Sequence, residues 1–147
     1  MRWKLCAVGK PKLSFARDGI AEYATRLRPW AQFQFEHVRS GDRESESRDL
    51  LDRSEGYWRI VLDERGEQIG SRDLAARISG WETRGDIKGI ALLIGGADGH
   101  APVLREQARW CWALSSLTLQ HELAQLIVLE QIYRAYSIKA GFPYHRD

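Results

Sequence analysis

The chain has 147 residues, 44% of them hydrophobic and 29% charged, with a formal net charge of +2. Such a chain has room for one cored domain and too little for two, and its mixed composition excludes a low-complexity or disordered protein. No apolar run approaches the roughly 20 residues of a membrane-spanning helix. Cys6 and Cys111 stand alone in apolar contexts without Cys-x-x-Cys spacing, so free thiols in a reducing cytoplasm are expected rather than a disulfide or a zinc site. The start, Met1-Arg2-Trp3-Lys4, is expected to enter a strand directly, with no signal peptide. Charge is unevenly spread. Residues 1–30 carry Arg2, Lys4, Lys10, Lys12, Arg17, Arg26 and Arg28 against only Asp18 and Glu22, a basic excess that suits a phosphate-rich partner or simply a solvated surface.

In chain order, Trp3–Gly9 reads as a strand. From Ser14, the residues Phe15, Ile20, Tyr23, Leu27 and Trp30 recur on one broad helical face, which Pro29 closes. Phe33 and Phe35 alternate with polar neighbours as a second strand. The highly charged stretch 40–55 is expected to be an exposed helix or a loop, with Leu50 and Leu51 its only large apolar residues. Trp58–Asp63 is a third strand running into a turn at Glu64-Arg65-Gly66-Glu67. A helix over Ser71–Arg84 follows, with Ser71 as N-cap and Leu74, Ile78 and Trp81 on its apolar face. Gly89–Ile94 is the fourth strand. Pro102–Arg109 is a short helix, Trp110–Leu114 a brief fifth strand, and the last helix spans about Leu119 to Ile138. This alternation predicts a single α/β domain over residues 1–147, a mainly parallel sheet with helices on both faces.

The last helix is apolar around nearly its whole circumference, from Leu123 through Leu129 and on to Ile132, Tyr133, Tyr136 and Ile138. A helix of that kind must be covered on all sides. A homodimer interface is the first expectation, and a central core helix is the alternative.

Two loops follow strands and precede helices. Gly95-Gly96-Ala97-Asp98-Gly99 is neither Gly-x-Gly-x-x-Gly nor a P-loop, which argues against a dinucleotide or nucleoside-triphosphate site. Alone it reads equally as a ligand loop or a plain turn. Ser115-Ser116-Leu117-Thr118-Leu119-Gln120-His121 is the second, and neighbouring strand ends would deliver both loops to one crevice. His121 at the helix start could cap, bind an anion or move a proton. Glu130 and Arg134 have ordinary i,i+4 ion-pair spacing but lie on an apolar helix. The closing Gly141-Phe142-Pro143-Tyr144-His145-Arg146-Asp147 is unusually rich in groups that stack on a base or grip a phosphate, and looks like a tail that docks. His37 and His100 have no metal-ligand spacing.

Three segments together carry a resemblance: Leu-Leu-Ile-Gly-Gly-Ala-Asp-Gly at 92–99, Leu-Ser-Ser-Leu-Thr-Leu-Gln-His at 114–121, and Glu-Gln-Ile-Tyr-Arg-Ala at 130–135 with the terminal Pro-Tyr-His-Arg at 143–146. In this order and at this length the chain resembles the RlmH (YbeA) family of SPOUT-class methyltransferases. These modify N3 of a pseudouridine in large-subunit ribosomal RNA with S-adenosyl-L-methionine. The resemblance implies a C-terminal deep trefoil knot, a homodimer, and no metal. It implies cofactor binding by Leu62, Gly95, Gly96, Ser115, Ser116, Leu117, Thr118, Leu119 and Gln120. One departure stands out: relatives generally carry arginine where this chain has Gln125, and a neutral amide does not replace a fixed charge.

The same resemblance places the chemistry at the end of the chain. N3 of a uracil-type ring bears a proton that must leave, so a base or anion-stabilising donors are required. His145 is the favoured base and His121 the other candidate, with Tyr144 and Arg146 positioning the nucleotide. Lys10, Lys12 and Arg17 are the expected RNA contacts, on the assembled ribosome. A SPOUT-type transfer RNA methyltransferase and a non-catalytic RNA- or ribosome-binding module remain the alternatives.

Overall fold

A computed structural model describes residues 1–146. Its elements run β1 (Arg2–Val8), α1 (Ser14–Leu27), β2 (Gln32–Val38), α2 (Arg43–Arg53), β3 (Trp58–Glu67), α3 (Ser71–Thr83), β4 (Gly89–Ile94), α4 (Pro102–Glu106), β5 (Trp110–Trp112) and α5 (His121–Ala140). The strands form one sheet in the order β2-β1-β4-β3-β5, and every pairing is parallel. β4 thus lies between β1 and β3, both earlier in the chain. The loop that leaves β4 therefore emerges at the centre of the sheet's carboxyl edge.

Two-residue periodicity sorts the strand side chains between the faces. Trp3, Leu5 and Ala7 of β1, with Ile90, Leu92 and Ile94 of β4, pack under the layer of α1, α3 and α5. Cys6, Val8, Ala91 and Leu93 point the other way, onto Leu50 of α2 and Leu104 of α4. β4 is buried at all six positions, as a central parallel strand covered on both faces requires. Truncating one of its leucines to alanine should cost about 2–5 kcal/mol. The two cysteines are free, on β1 and β5, and burial pushes the Cys6 thiol up to about 12.

The structure departs from the sequence reading at five places. Within the charged stretch 40–55 the helix Arg43–Arg53, capped by the Asp42 side chain accepting the Ser45 N–H at 2.7 Å, is one of the two expected forms, but it is not exposed throughout, since it buries Glu46 and Ser47 beside Leu50. The expected turn at Glu64–Glu67 is a bulge within β3, since Leu62 and Glu67 both pair with Trp112. Gly66 permits this, because a Cβ there would sit 2.5 Å from the Cys111 carbonyl oxygen. Ser71 does not cap α3: Gly70 occupies the N-cap, and the Ser71 hydroxyl donates to Gln131 Oε1 on α5 at 2.7 Å. Phe15, expected on the buried face of α1, is 53% exposed. β5 stops at Trp112 and α5 starts at His121, so the second polar loop is longer than expected.

α5 lies against the sheet between α1 and α3. Val128, Leu129 and Ile132 point inward, and Leu126 meets Gly19 of α1. The chain's own layers therefore cover most of this helix. What remains is a half-buried outer stripe that includes Leu123, Ile127, Glu130 and Arg134.

Candidate active site

The carboxyl ends of β3, β4 and β5 open into one cleft of about 640 Å³, walled by residues 62–65, 94–100 and the loop from Leu114 to His121. Of the residues expected to hold the cofactor, Leu62, Gly95, Gly96, Ser115, Leu117, Thr118, Leu119 and Gln120 line it, whereas Ser116 does not. His121 lines it as the first residue of α5. Capping falls to the preceding residue, because Gln120 Oε1 accepts the N–H groups of Glu122 and Leu123, each at 2.9 Å. A hydrogen bond from the Thr118 hydroxyl to Glu64 Oε2 ties two of the walls together.

His100, which carried no expectation, is the strut between the 94–100 wall and the 62–65 wall. It is only 4% exposed, with Nε2 at 3.1 Å from the Leu62 carbonyl oxygen. A carbonyl can only accept, so Nε2 carries the proton. Nδ1 is buried without a hydrogen-bond partner, and a Cβ on Gly95 would lie 3.0 Å from it. Burial holds the imidazole below its ordinary range, and hydrogen bonding to Leu62 only partly offsets this. At the mouth, the Asp63 side chain is 7% exposed between two guanidiniums. Arg65 grips it with Nε and Nη2, each at 3.1 Å, and Arg105 lies at 3.5 Å. Burial raises the Asp63 carboxyl, but the arginine contacts outweigh it and hold the group below the usual carboxylate range.

The tail builds a second constellation. The Tyr144 hydroxyl lies 3.1 Å from Glu130 Oε1 and 3.0 Å from the Tyr23 hydroxyl, and its ring meets Tyr133 edge-on. Burial, reinforced by Tyr23 and Glu130, pushes the Tyr144 phenol well up. Arg134 pairs with Glu130 at 2.7 Å, stacks over the Tyr144 ring and places Nη1 at 3.3 Å from His145 Nδ1. Arg146 is exposed, and Asp147 lies outside the described residues. The tail docks, but on the far half of α5. None of Tyr144, His145 and Arg146 lines the cleft that holds His121, and the helix rises about 20 Å from His121 to Arg134.

Two more polar groups lie in the first turns of α5. Glu122 accepts the N–H groups of Lys12 and Leu13 at 2.6 and 2.9 Å, which anchors the exposed basic loop to the start of α5. Those donors, Leu13 first, hold its carboxyl below the ordinary range. Gln125 is 1% exposed, and neither end of its amide has a hydrogen-bond partner among the described residues. Arg17, the other expected RNA contact, is exposed beside Asp18 at 3.7 Å.

The site can be compared with known proteins. A family model described as a predicted SPOUT methyltransferase matches residues 1–145. The ribosomal RNA large subunit methyltransferase H of Thermus thermophilus is 44% identical over 146 residues, covering 99% of both chains. That of Deinococcus radiodurans is 42% identical with the same coverage. Among solved structures, a probable methylase family protein from Haemophilus influenzae superposes with a TM-score of 0.57 at 11% identity, covering 99% of this chain and 70% of that one. That likeness speaks for the fold alone. With the match running from end to end, the chain belongs to the SPOUT methyltransferases, within the ribosomal RNA large subunit methyltransferase H family.

Proposed function

We propose that this protein methylates N3 of a pseudouridine in 23S ribosomal RNA on the assembled ribosome, with S-adenosyl-L-methionine as methyl donor. The observation that carries the reading is the single cleft where three separate segments meet, in a chain 44% identical along its length to a ribosomal RNA methyltransferase. Its volume, about 640 Å³, suits a nucleoside-sized ligand. The donor set suits this ligand too. Leu62, Leu117 and Leu119 offer apolar walls to a purine, Ser115, Thr118 and Gln120 offer hydroxyl and amide groups, and Gly95 and Gly96 admit close backbone approach. When bound, the cofactor supplies an electrophilic methyl group on a sulfonium.

The remaining work falls to side chains. Tyr144 and Arg146 position the target nucleotide, while His145 or His121 takes the N3 proton. Arg134 has only donors, so in the arrangement seen His145 accepts at Nδ1, and proton uptake there requires that contact to break. Glu130, held beside it by Arg134 and Tyr144, is the second acceptor at the same place. The separation along α5 supports a homodimer in which the tail of one protomer completes the cleft of its partner. The half-buried stripe of α5 and the exposed Leu13, Phe15 and Leu117 supply apolar surface for it. A trefoil knot formed by the loops of the cleft, a cytoplasmic location and RNA contacts from Lys10, Lys12 and Arg17 complete the proposal.

The test is methyl transfer to ribosomes from a strain lacking this protein, with the modified nucleotide mapped. Labelling of one pseudouridine at N3 supports the reading. Labelling of transfer RNA instead, or no binding of S-adenosylmethionine by calorimetry, would replace it with one of the alternatives. Substituting His145→Ala and Glu130→Gln separately, under single-turnover conditions, identifies which group takes the proton.

A further inference from the structure

Behind the glycine loop lies a buried acid that the chemistry above does not use. Glu46 sits in the first turn of α2, a helix so polar that solvent exposure was expected, yet it is 5% exposed and its neighbour Ser47 is 1% exposed. Ser47 Oγ accepts the Ala101 N–H at 2.9 Å, fixing the exit of the glycine loop. Glu46 Oε2 accepts the Gly41 N–H at 3.0 Å and lies 3.5 Å from the Ser40 hydroxyl. The other oxygen lies against the loop: a Cβ on Gly96 would be 3.2 Å from Glu46 Oε1 and 3.4 Å from Oε2. Gly96 itself lines the cleft, so only a side-chain-free residue separates this carboxylate from whatever the cleft holds.

No cation among the described residues forms an ion pair with Glu46. A desolvated carboxylate without a cation is costly. The contrast with Asp63 across the same cleft is sharp, since that carboxylate has both Arg65 and Arg105. One wall is neutralised within the fold, and the other presents an uncompensated negative charge. A ligand bearing positive charge over Gly96 would complete it.

We propose that Glu46, acting through Gly96, is the counter-charge for the sulfonium of the bound methyl donor, so that the cleft prefers the charged donor to its neutral product. This rests on the S-adenosylmethionine reading above. In the transfer, the methyl carbon leaves sulfur for the ring nitrogen, the electron pair of the broken C–S bond stays on sulfur, and the sulfur becomes a neutral thioether. Glu46 then loses its partner, and the product is held less tightly than the donor.

The experiment is calorimetric binding of S-adenosylmethionine and S-adenosylhomocysteine to the wild-type protein and to Glu46→Gln, with Ser47→Ala as a variant that removes a brace without changing charge. Both ligands carry the same amino-acid ammonium, so their affinity ratio isolates the sulfonium. The wild type should favour the donor, and Glu46→Gln should narrow that ratio by about tenfold, as expected for one partly screened charge pair. Ser47→Ala should weaken both ligands equally. An unchanged ratio in Glu46→Gln, or an equal loss for both ligands, overturns the proposal. Should Glu46→Gln fail to fold, Glu46→Asp, which retracts the charge, must still narrow the ratio. Wild-type protein that binds neither ligand defeats the cofactor reading itself, a distinct outcome.

Discussion

The two ends of α5 are built on different physics. At its start, the cleft is made of backbone: three loops from adjacent strand ends, two adjacent glycines, and a buried imidazole as strut. At its far end, the tail site is made of side chains: an Arg134–Glu130 pair, a stacked Tyr144 and His145. The first is pre-organised by the sheet and tolerates no added atoms. The second is a polar network whose members hold one another in place. In the proposed reaction, binding and chemistry fall at opposite ends of one helix, and a second protomer brings them together.

The largest effect that would sharpen this contrast is at the cleft. Gly95→Val places a Cβ 3.0 Å from both the Gly99 carbonyl oxygen and the His100 ring, so S-adenosylmethionine affinity should fall by at least about 100-fold while the tail stays docked. Calorimetry reads the first and hydrogen exchange of the tail amides the second. At the tail the pattern inverts. His145→Ala should leave cofactor affinity within about twofold but lower the single-turnover rate by about 10²- to 10⁴-fold, the usual range for a lost proton-transfer group. Mixing Gly95→Val with His145→Ala protein tests the dimer directly. Random exchange leaves one intact composite site in half the dimers, so about a quarter of wild-type activity should return. No recovery would mean that each chain works alone and would break the comparison.

A smaller effect is expected from pH. The His100 imidazole is depressed below its ordinary value of 6.5 by burial, with Asp63 raising it and Arg105 and Arg65 lowering it from the facing elements. Below that value the unfolded chain takes up a proton that the folded chain refuses, so stability falls as pH drops from about 7 towards 5. The wild-type melting temperature should decline over that window, and His100→Leu should flatten the decline. The smallest effect belongs to the basic loop. Reversing Lys10 and Lys12 to glutamate should weaken ribosome binding modestly and reduce its salt dependence by about one unit of slope per lost phosphate contact.

Much of this site was legible from local chemistry. Eight of the nine residues that the family resemblance implied for the cofactor line the cleft, whose glycine and serine loops stand out in contiguous residues, and the fourth strand, Gly89–Ile94, has the bounds its apolar run implied. The tail docks as its aromatic and charged composition indicated. What stayed hidden involves partners distant in sequence. Glu46 and Ser47 looked solvated because α2 is so polar, and only the packing of α2 beneath the glycine loop buries them. His100 had no local partner to betray it, since its own lies 38 residues earlier. The turn at Gly66 became a bulge because β5 passes within contact of it.

Periodicity, glycine placement and terminal motifs by themselves determined the α/β class, the parallel strands, the two loops that wall the cleft and the family. These signals act over a few residues, where backbone sterics and side-chain polarity decide the outcome. Tertiary structure alone decided the strand order, the coverage of α5 by α1 and α3, and the docking of the tail on Glu130 and Arg134 rather than at the cleft. It also decided which acids were neutralised and which was left bare. Those outcomes depend on which surfaces meet when the layers close, and the desolvation of Glu46 behind Gly96 exists only once they have.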